Sequence, residues 1–264
     1  MPEIAEAEFA RRHLVGWTRG KSLVKALSHD PKRVEGEAPE GGRVVVKDWI
    51  RQGKMLLALF DDGSGMLNHL GMTGKWVRNP SSERRHVRLE LFLSDSSSVA
   101  LIDPRRFGWT AFGSVEALTS QSRWSGLGPD CLDEAWDGDR FKSVCGGSRQ
   151  PLKDRLMNQK VIAGLGNIAL VEMAFRAKLH PHRSCDSLSK TEWTRVSEAM
   201  DAHIDYVLNV EDGEEIRYQS EKKSDNPFVC YGRENQPCPA CATSFVRVVH
   251  RGRPTFYCPT CQSP

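Results

Sequence analysis

The sequence predicts an α+β fold: an N-terminal helix, a run of short strands, a helical half and a cysteine-bearing finger. Three observations predict it. Residues 4–14 place apolar side chains at helical spacing, residues 44–109 alternate short apolar runs with turn residues, and residues 231–264 hold two CxxC pairs. The 264 residues allow one large domain or two compact ones, and 39% hydrophobic with 27% charged residues is ordinary for a globular chain. A net charge of +3, from 37 Lys and Arg against 34 Asp and Glu, excludes a histone-like polycation. No stretch approaches the roughly 18 apolar residues of a membrane span. The acidic start MPEIAEAEFARR lacks an apolar signal core, so a soluble cytoplasmic protein is expected.

The elements follow in order. Ile4, Ala7, Phe9, Ala10 and Leu14 make one helix face, with acids early and Arg11 and Arg12 late, as the helix dipole favours. RVVVKDW, KMLLALF, MLNHLGM, HVRLELFL and SVALIDP read as five strands separated by DDGSG, NPSSE and SDSSS, which suggests a sandwich or small barrel. PDCLDEAWDGDR, with five acids in 129–140, reads as a linker. After it come PLKDRLMNQKVI, the break AGLGN, IALVEMAFRAKL and TEWTRVSEAMDAHIDYVL, all helical. The chain thus divides into 1–128, a linker over 129–147, a helical domain over 148–229 and a finger over 230–264.

Cys238 and Cys241 form one CxxC, and Cys258 and Cys261 the other. Four thiolates at this spacing match a closed structural zinc site with no open position for chemistry. A reduced or redox-active pair of motifs is the alternative. The intervening FVRVVHRGRPTFY reads as a two-stranded hairpin turning at Arg251–Gly252. Cys131, Cys145, Cys185 and Cys230 have no ligand spacing and read as small buried apolar residues.

The small net charge hides a distribution. Residues 149–183 carry seven cations against two acids, and the last 34 residues four arginines against one glutamate. Such segments suggest either a phosphate-backbone surface or a merely solvated basic face. AGLGN, leading into a helix, favours the first, because a helix N-terminus exposes backbone N–H groups to a phosphate. No strand precedes this G-x-G, so no organic cofactor is expected.

Removal of the initiator Met would leave Pro2 as a secondary amine. An α-amino group titrates near 7.7–8, far below lysine, and a helix N-terminus lowers it further. Such an amine can attack an aldehyde-like carbon to give an iminium, with Glu3 beside it to move protons. An acid in a first helical turn is also simply what the dipole favours.

MPEIAEAE, GKMLLALF, HLGMTGKW, DPRRFG, LMNQKVIAGLGNI and CPAC…RGRPTFYCPTC together resemble the formamidopyrimidine-DNA glycosylase / endonuclease VIII family, in order and spacing, from Pro2 to Gln262. The intact RRFG is closer to the formamidopyrimidine branch. The resemblance implies an N-terminal helix with a β-sandwich, a helix–two-turn–helix domain and a zinc finger, with double-stranded DNA held between, in a monomer. It implies a bifunctional glycosylase and abasic-site lyase of base excision repair, acting on oxidised bases. In that family's pattern Pro2 is the nucleophile and Glu3 the adjacent acid/base, with Lys54 and Arg253 serving the eliminations and phosphate contact. Met72, Arg105 and Phe107 match the residues that fill the gap left by a flipped base. Asn167, Arg149, His69 and Lys160 match DNA-contacting positions, and Arg84 stands where a DNA-contacting histidine is frequent.

The chain departs from the pattern at Ala5, at Asn158, at Ala169–Leu170 and over EEIRYQSEKKSDNPFVCYGRE. The last departure alters the stretch that closes over 8-oxoguanine in the specialised branch. A non-catalytic DNA-binding protein that kept the fold is the rival reading; Pro2, Glu3, Lys54 and Arg253 together argue against it. A zinc hydrolase is disfavoured because four cysteines close the metal.

Overall fold

The computed structural model describes residues 2–132, 135–210 and 226–263, in two compact units that divide at Gly126–Leu127. Most of the altered stretch from Glu214 onward lies outside the described residues.

In the first unit, α1 (Ile4–Thr18) begins where Glu3 is extended as N-cap and its N–H donates to the Glu6 carboxylate at 2.8 Å. Ile4, Ala7, Ala10 and Leu14 are buried, as the helical spacing predicts. Burying a side chain such as Ile4 or Leu14 stabilises the unit by about 1.5–3 kcal/mol. The strands are β1 (Ser22–Ser28), β2 (Val34–Glu35), β3 (Val44–Gln52), β4 (Met55–Phe60), β5 (Ser64–His69), β6 (Lys75–Arg78), β7 (Val87–Leu93), β8 (Ser98–Ile102) and β9 (Trp109–Ser114). They form one sheet in the order β2-β9-β5-β4-β3-β1-β7-β8-β6. It folds back on itself as a sandwich: Trp76 in β6 donates to the buried Asn68 of β5 at 3.0 Å, and its ring meets Trp49 of β3 edge-on at 6.1 Å. The short helices α2 (Val115–Ser120) and α3 (Ser122–Ser125) close the unit.

All five predicted strands are present. β1, β2, β6 and β9 are not among them: β1 has a single buried residue, Leu23, β2 is two residues long and β6 four.

The second unit corrects the linker reading. Residues 138–145 form α4 (Gly138–Cys145), capped by the Asp137 carboxylate, which accepts from the Arg140 N–H at 2.8 Å. Trp136 and Phe141 are buried, their rings 5.0 Å apart, and Phe141 stacks on Trp193 at 6.2 Å. Among the described acids, Asp130 accepts from the Leu132 N–H, Asp137 caps α4 and Asp139 pairs with Lys190, while Cys131 and Trp136 are core.

Then follow α5 (Leu152–Met157), α6 (Asn167–Arg176), α7 (Lys190–Val210) and the hairpin β10 (Val246–His250) and β11 (Arg253–Tyr257). The hairpin pairs His250 with Arg253 across Arg251 and Gly252, as its sequence predicts. Cys131, Cys145, Cys185 and Cys230 are all buried. Among the described residues no helix is long and apolar enough to cross a membrane.

Candidate active site and zinc centre

Candidate residues fall in each of the two units. Pro2 and Glu3 precede the first turn of α1, and both are buried. One turn on, burial pushes the Glu6 carboxyl above its usual range, and the neighbouring Glu3 charge adds to the shift. The start of α1 therefore sets two carboxyls beside the chain's second residue, at the positive end of the helix dipole.

A second feature of α1 fixes Lys54. Arg51 and Glu8 are both nearly inaccessible, and Arg51 Nε donates to Glu8 Oε2 at 3.1 Å. Arg11 and Arg12 bind the same carboxylate, at 2.8 and 2.9 Å. Burial opposes ionisation of Glu8, but three guanidiniums outweigh it and hold the carboxyl near 2. Arg51 Nη1 donates to the carbonyl of Gly53 at 3.1 Å. Gly53, at φ 55, is the first residue of the two-residue turn between β3 and β4, and Lys54 is the second. Thus α1 holds the turn that presents Lys54.

The third feature is a pair of turns joined by Asp103. This residue is fully buried, and it accepts from the Gly108 N–H at 2.8 Å, the Arg105 N–H at 3.2 Å and the Thr73 hydroxyl. A Cβ at Gly71, whose φ is 69, would lie 2.3 Å from the Gly108 nitrogen, so only glycine allows the two turns this close. One turn carries Met72, the other Arg105 and Phe107. Phe107 is 48% exposed, an unusual state for a phenyl ring, and the Arg105 guanidinium lies 5.2 Å over it. Arg106 turns the other way, with φ 58, and pairs bidentately with the buried Asp30 at 2.7 and 2.8 Å. His69 joins this rim: its Nδ1 accepts from the Gly71 N–H at 3.1 Å, which leaves Nε2 as the N–H donor. Burial, and then the Lys54 charge, lower His69 to about 4, so it is a neutral donor at neutral pH. Arg84 sits in the β6–β7 connection, tied to the rim through Asp103, whose N–H donates to the His86 carbonyl at 3.0 Å.

In the second unit the α5–α6 connection is stitched by Gln159, whose side chain bonds Met157 at 3.0 Å, Leu165 at 2.9 Å and Gly164 at 3.0 Å. Lys160 and Arg149 project from this region into solvent. Asn167 starts α6, is buried, and donates from Nδ2 to the Pro254 carbonyl at 3.0 Å, which places it beside Arg253.

The basic stretch is less free than its charge count. Lys153 is 2% exposed and donates to Thr255, and Arg183 pairs with Glu192 at 2.6 Å.

The four sulphurs of Cys238, Cys241, Cys258 and Cys261 lie within 4.8 Å of one another. Cys238 Sγ is 3.9 Å from Cys261 Sγ, and Cys241 Sγ 3.4 Å from Cys258 Sγ. Zn–S bonds of about 2.3 Å in a tetrahedron require S···S edges of ~3.8 Å, so the residues fit one structural zinc. Gln262 is fully buried; it accepts from the Cys258 N–H at 2.9 Å and donates to the Leu179 carbonyl at 2.9 Å, seating the finger on the end of the α6 segment. Glu172 in α6 accepts from the N–H groups of Val229, Cys230 and Tyr231, at 3.1, 2.8 and 2.8 Å, and so anchors the chain entering the finger.

Sequence reasoning did not single out Glu8, Asp103, Gln159, Glu172 or Gln262. Of these, Asp103 alone had a local signal, opening the DPRRFG turn.

Three family models match in succession: the formamidopyrimidine-DNA glycosylase N-terminal domain over residues 1–110, the H2TH domain of the same enzyme over 127–218, and a zinc finger found in FPG and IleRS over 235–264. A formamidopyrimidine-DNA glycosylase of Thermus thermophilus is 35% identical over 273 residues, covering 99% of this chain and 98% of that one. The chain belongs to the formamidopyrimidine-DNA glycosylase family. The fold agrees: the crystal structure of MutM (FPG) from Thermus thermophilus superposes with a TM-score of 0.85 at 32% identity, over 99% of this chain and 98% of that one. A MutM bound to DNA containing carbocyclic 8-oxo-G superposes at 0.87, with 25% identity and full coverage of both chains.

Proposed function

We propose that this protein excises oxidised bases from double-stranded DNA and then cleaves the abasic strand, using Pro2 as nucleophile. The carrying observation is the position of Pro2 directly before the N-cap of α1, beside the buried Glu3. With Met1 removed, the Pro2 secondary amine, in its unprotonated form, attacks C1′ of the damaged nucleotide. The base leaves with the bonding electrons and a proton, and Glu3 exchanges protons with the sugar as the iminium forms. The iminium acidifies C2′. Loss of a C2′ proton expels the 3′ phosphate, loss of a C4′ proton expels the 5′ phosphate, and water releases the amine.

Lys54 and Arg253 supply cations to the departing phosphates, and Lys54 is held for this by the Glu8–Arg51 pair. Met72, Arg105 and Phe107 fill the gap that the flipped nucleotide leaves in the stack. His69 serves as a neutral donor, and Arg84, Arg149, Lys160 and Asn167 hold phosphates. The relatives' names and the MutM–DNA complex support this reading.

Borohydride trapping on an abasic duplex tests it. The expected product is an adduct on the peptide that begins at Pro2. An adduct confined to an internal lysine would overturn the Pro2 assignment. Tight binding with neither adduct nor strand cleavage would instead identify a non-catalytic DNA-binding protein.

A further inference from the structure

The β10–β11 turn runs through Arg251 at φ 47 and Gly252 at φ 74, the left-handed pair of a type I′ turn. Asn, Asp or Gly usually fills the first of these positions, and a long side chain there costs roughly 1–2 kcal/mol. Asp154, in α5, offsets this cost. Its carboxylate, 9% exposed, accepts from His250 Nε2 at 2.7 Å and lies 3.0 Å from Arg251 Nε. The same carboxylate therefore hydrogen-bonds the last residue of β10 and pairs by charge with the first of the turn.

The other side of the turn is held as well. Asn167 binds the Pro254 carbonyl, and the buried Lys153, next to Asp154 in α5, donates to the Thr255 hydroxyl. Arg253 stands between these anchored residues with its own side chain exposed. Two further imidazoles face the hairpin from the segment after α6. His182 lies on His250 with ring centroids 4.2 Å apart, and His180 meets Tyr257 at 4.6 Å. Burial, then the adjacent His250, lowers the titration of His182, so its ring favours the neutral form.

A carboxylate beside a phosphate-binding arginine repels DNA by simple electrostatics, so its presence needs a compensating use. We propose that Asp154 is a positioning residue for Arg253: by clamping His250 and Arg251 it sets the turn that aims the Arg253 guanidinium at a DNA phosphate. This rests on the reading that Arg253 grips DNA. Lys153, Arg251, His180 and His182 are the other charged or titratable groups facing the clamp, and of these Arg251 is itself held by it.

A double-mutant cycle on strand cleavage of an abasic duplex tests the proposal, with zinc content measured for every variant. Asp154→Asn should lower kcat/KM about ten-fold, the scale of a misplacement well under 1 Å. In an Arg253→Ala background the same change should cost less than about two-fold, because the residue being positioned is gone. Arg251→Gly relaxes the backbone but removes half of the clamp; it should lose about three-fold in the wild type and nothing in Arg253→Ala. It also decides the matter if Asp154→Asn does not fold. Equal losses in both backgrounds, or full activity of zinc-bound Asp154→Asn, would overturn the Asp154 role alone. Unchanged DNA binding and cleavage by Arg253→Ala would instead overturn the Arg253 reading, and the positioning role with it.

Discussion

Replacing Asp103 by Asn keeps the side chain's shape but converts one carboxylate oxygen into an NH2 group. In the native protein the two oxygens take the Gly108 N–H at 2.8 Å, the Arg105 N–H at 3.2 Å and the Thr73 hydroxyl, in a site with no solvent access. The single amide oxygen can keep Gly108, and the Thr73 hydroxyl can rotate to accept from the new NH2. The Arg105 N–H then faces a donor on one side and keeps only the Thr73 oxygen, at 3.2 Å, on the other. Losing one bond to a charged acceptor costs about 1.5–3 kcal/mol, and the retained Thr73 contact holds this toward the lower value. Asp103→Asn should therefore unfold about 1.5–2 kcal/mol more easily, read as a lower urea midpoint with an unchanged m-value. The consequence for function is larger than for the fold, because Met72 stands on one turn and Arg105 and Phe107 on the other. Discrimination between an abasic duplex and an undamaged one, measured by fluorescence anisotropy, should fall about ten-fold, while binding to undamaged DNA stays near wild type. Full discrimination in a folded but destabilised variant would refute the argument that Asp103 registers the two turns.

Three further outcomes follow from the site. The Glu8 carboxyl is held near 2 against a usual value of 4.5, so its stabilisation is complete above pH 4.5 and disappears as pH falls toward 2. After allowing for solvent around the outer arginines, ~1–2 kcal/mol of acid sensitivity should vanish in Glu8→Gln, measured by urea melts between pH 3 and 6. Freshly purified protein should contain one zinc per chain by metal analysis. Stripping it with a chelator under mild denaturation should remove about 10 kcal/mol of folding energy from the finger and abolish DNA binding. The His69 ring, lowered to about 4, should show flat NMR shifts from pH 8 down to pH 5.5, and a midpoint near 6.5 would contradict its buried setting.

The parts legible in the sequence were those with local signatures. The five predicted strands are central strands with several buried residues each, and β3 shows the alternation of a half-buried strand. The type I′ turn at Arg251–Gly252 and the two CxxC knuckles are likewise set by residues near one another in the chain. β1 and β6 escaped because their pairing comes from long-range neighbours: β1 joins β7, about 65 residues away, and β6 joins β8. The acidic stretch misled because composition counts charges and does not see that Trp136, among them, and Phe141, just after them, are buried.

The same limit applies to charge in the site. By itself the sequence determined the α+β class, the zinc ligands and the family, because each rests on residue type and spacing along the chain. Only the tertiary structure decided which charged residues work in solvent and which work inside. Glu8, Arg51, Asp103, Lys153 and Glu172 read as surface in one dimension, yet all are buried and hold turns or the chain entering the finger. The physical reason is that a buried charge is stable only beside its partner. For the most distant of these pairs, Lys153 and Thr255, the partner lies 102 positions away in the sequence.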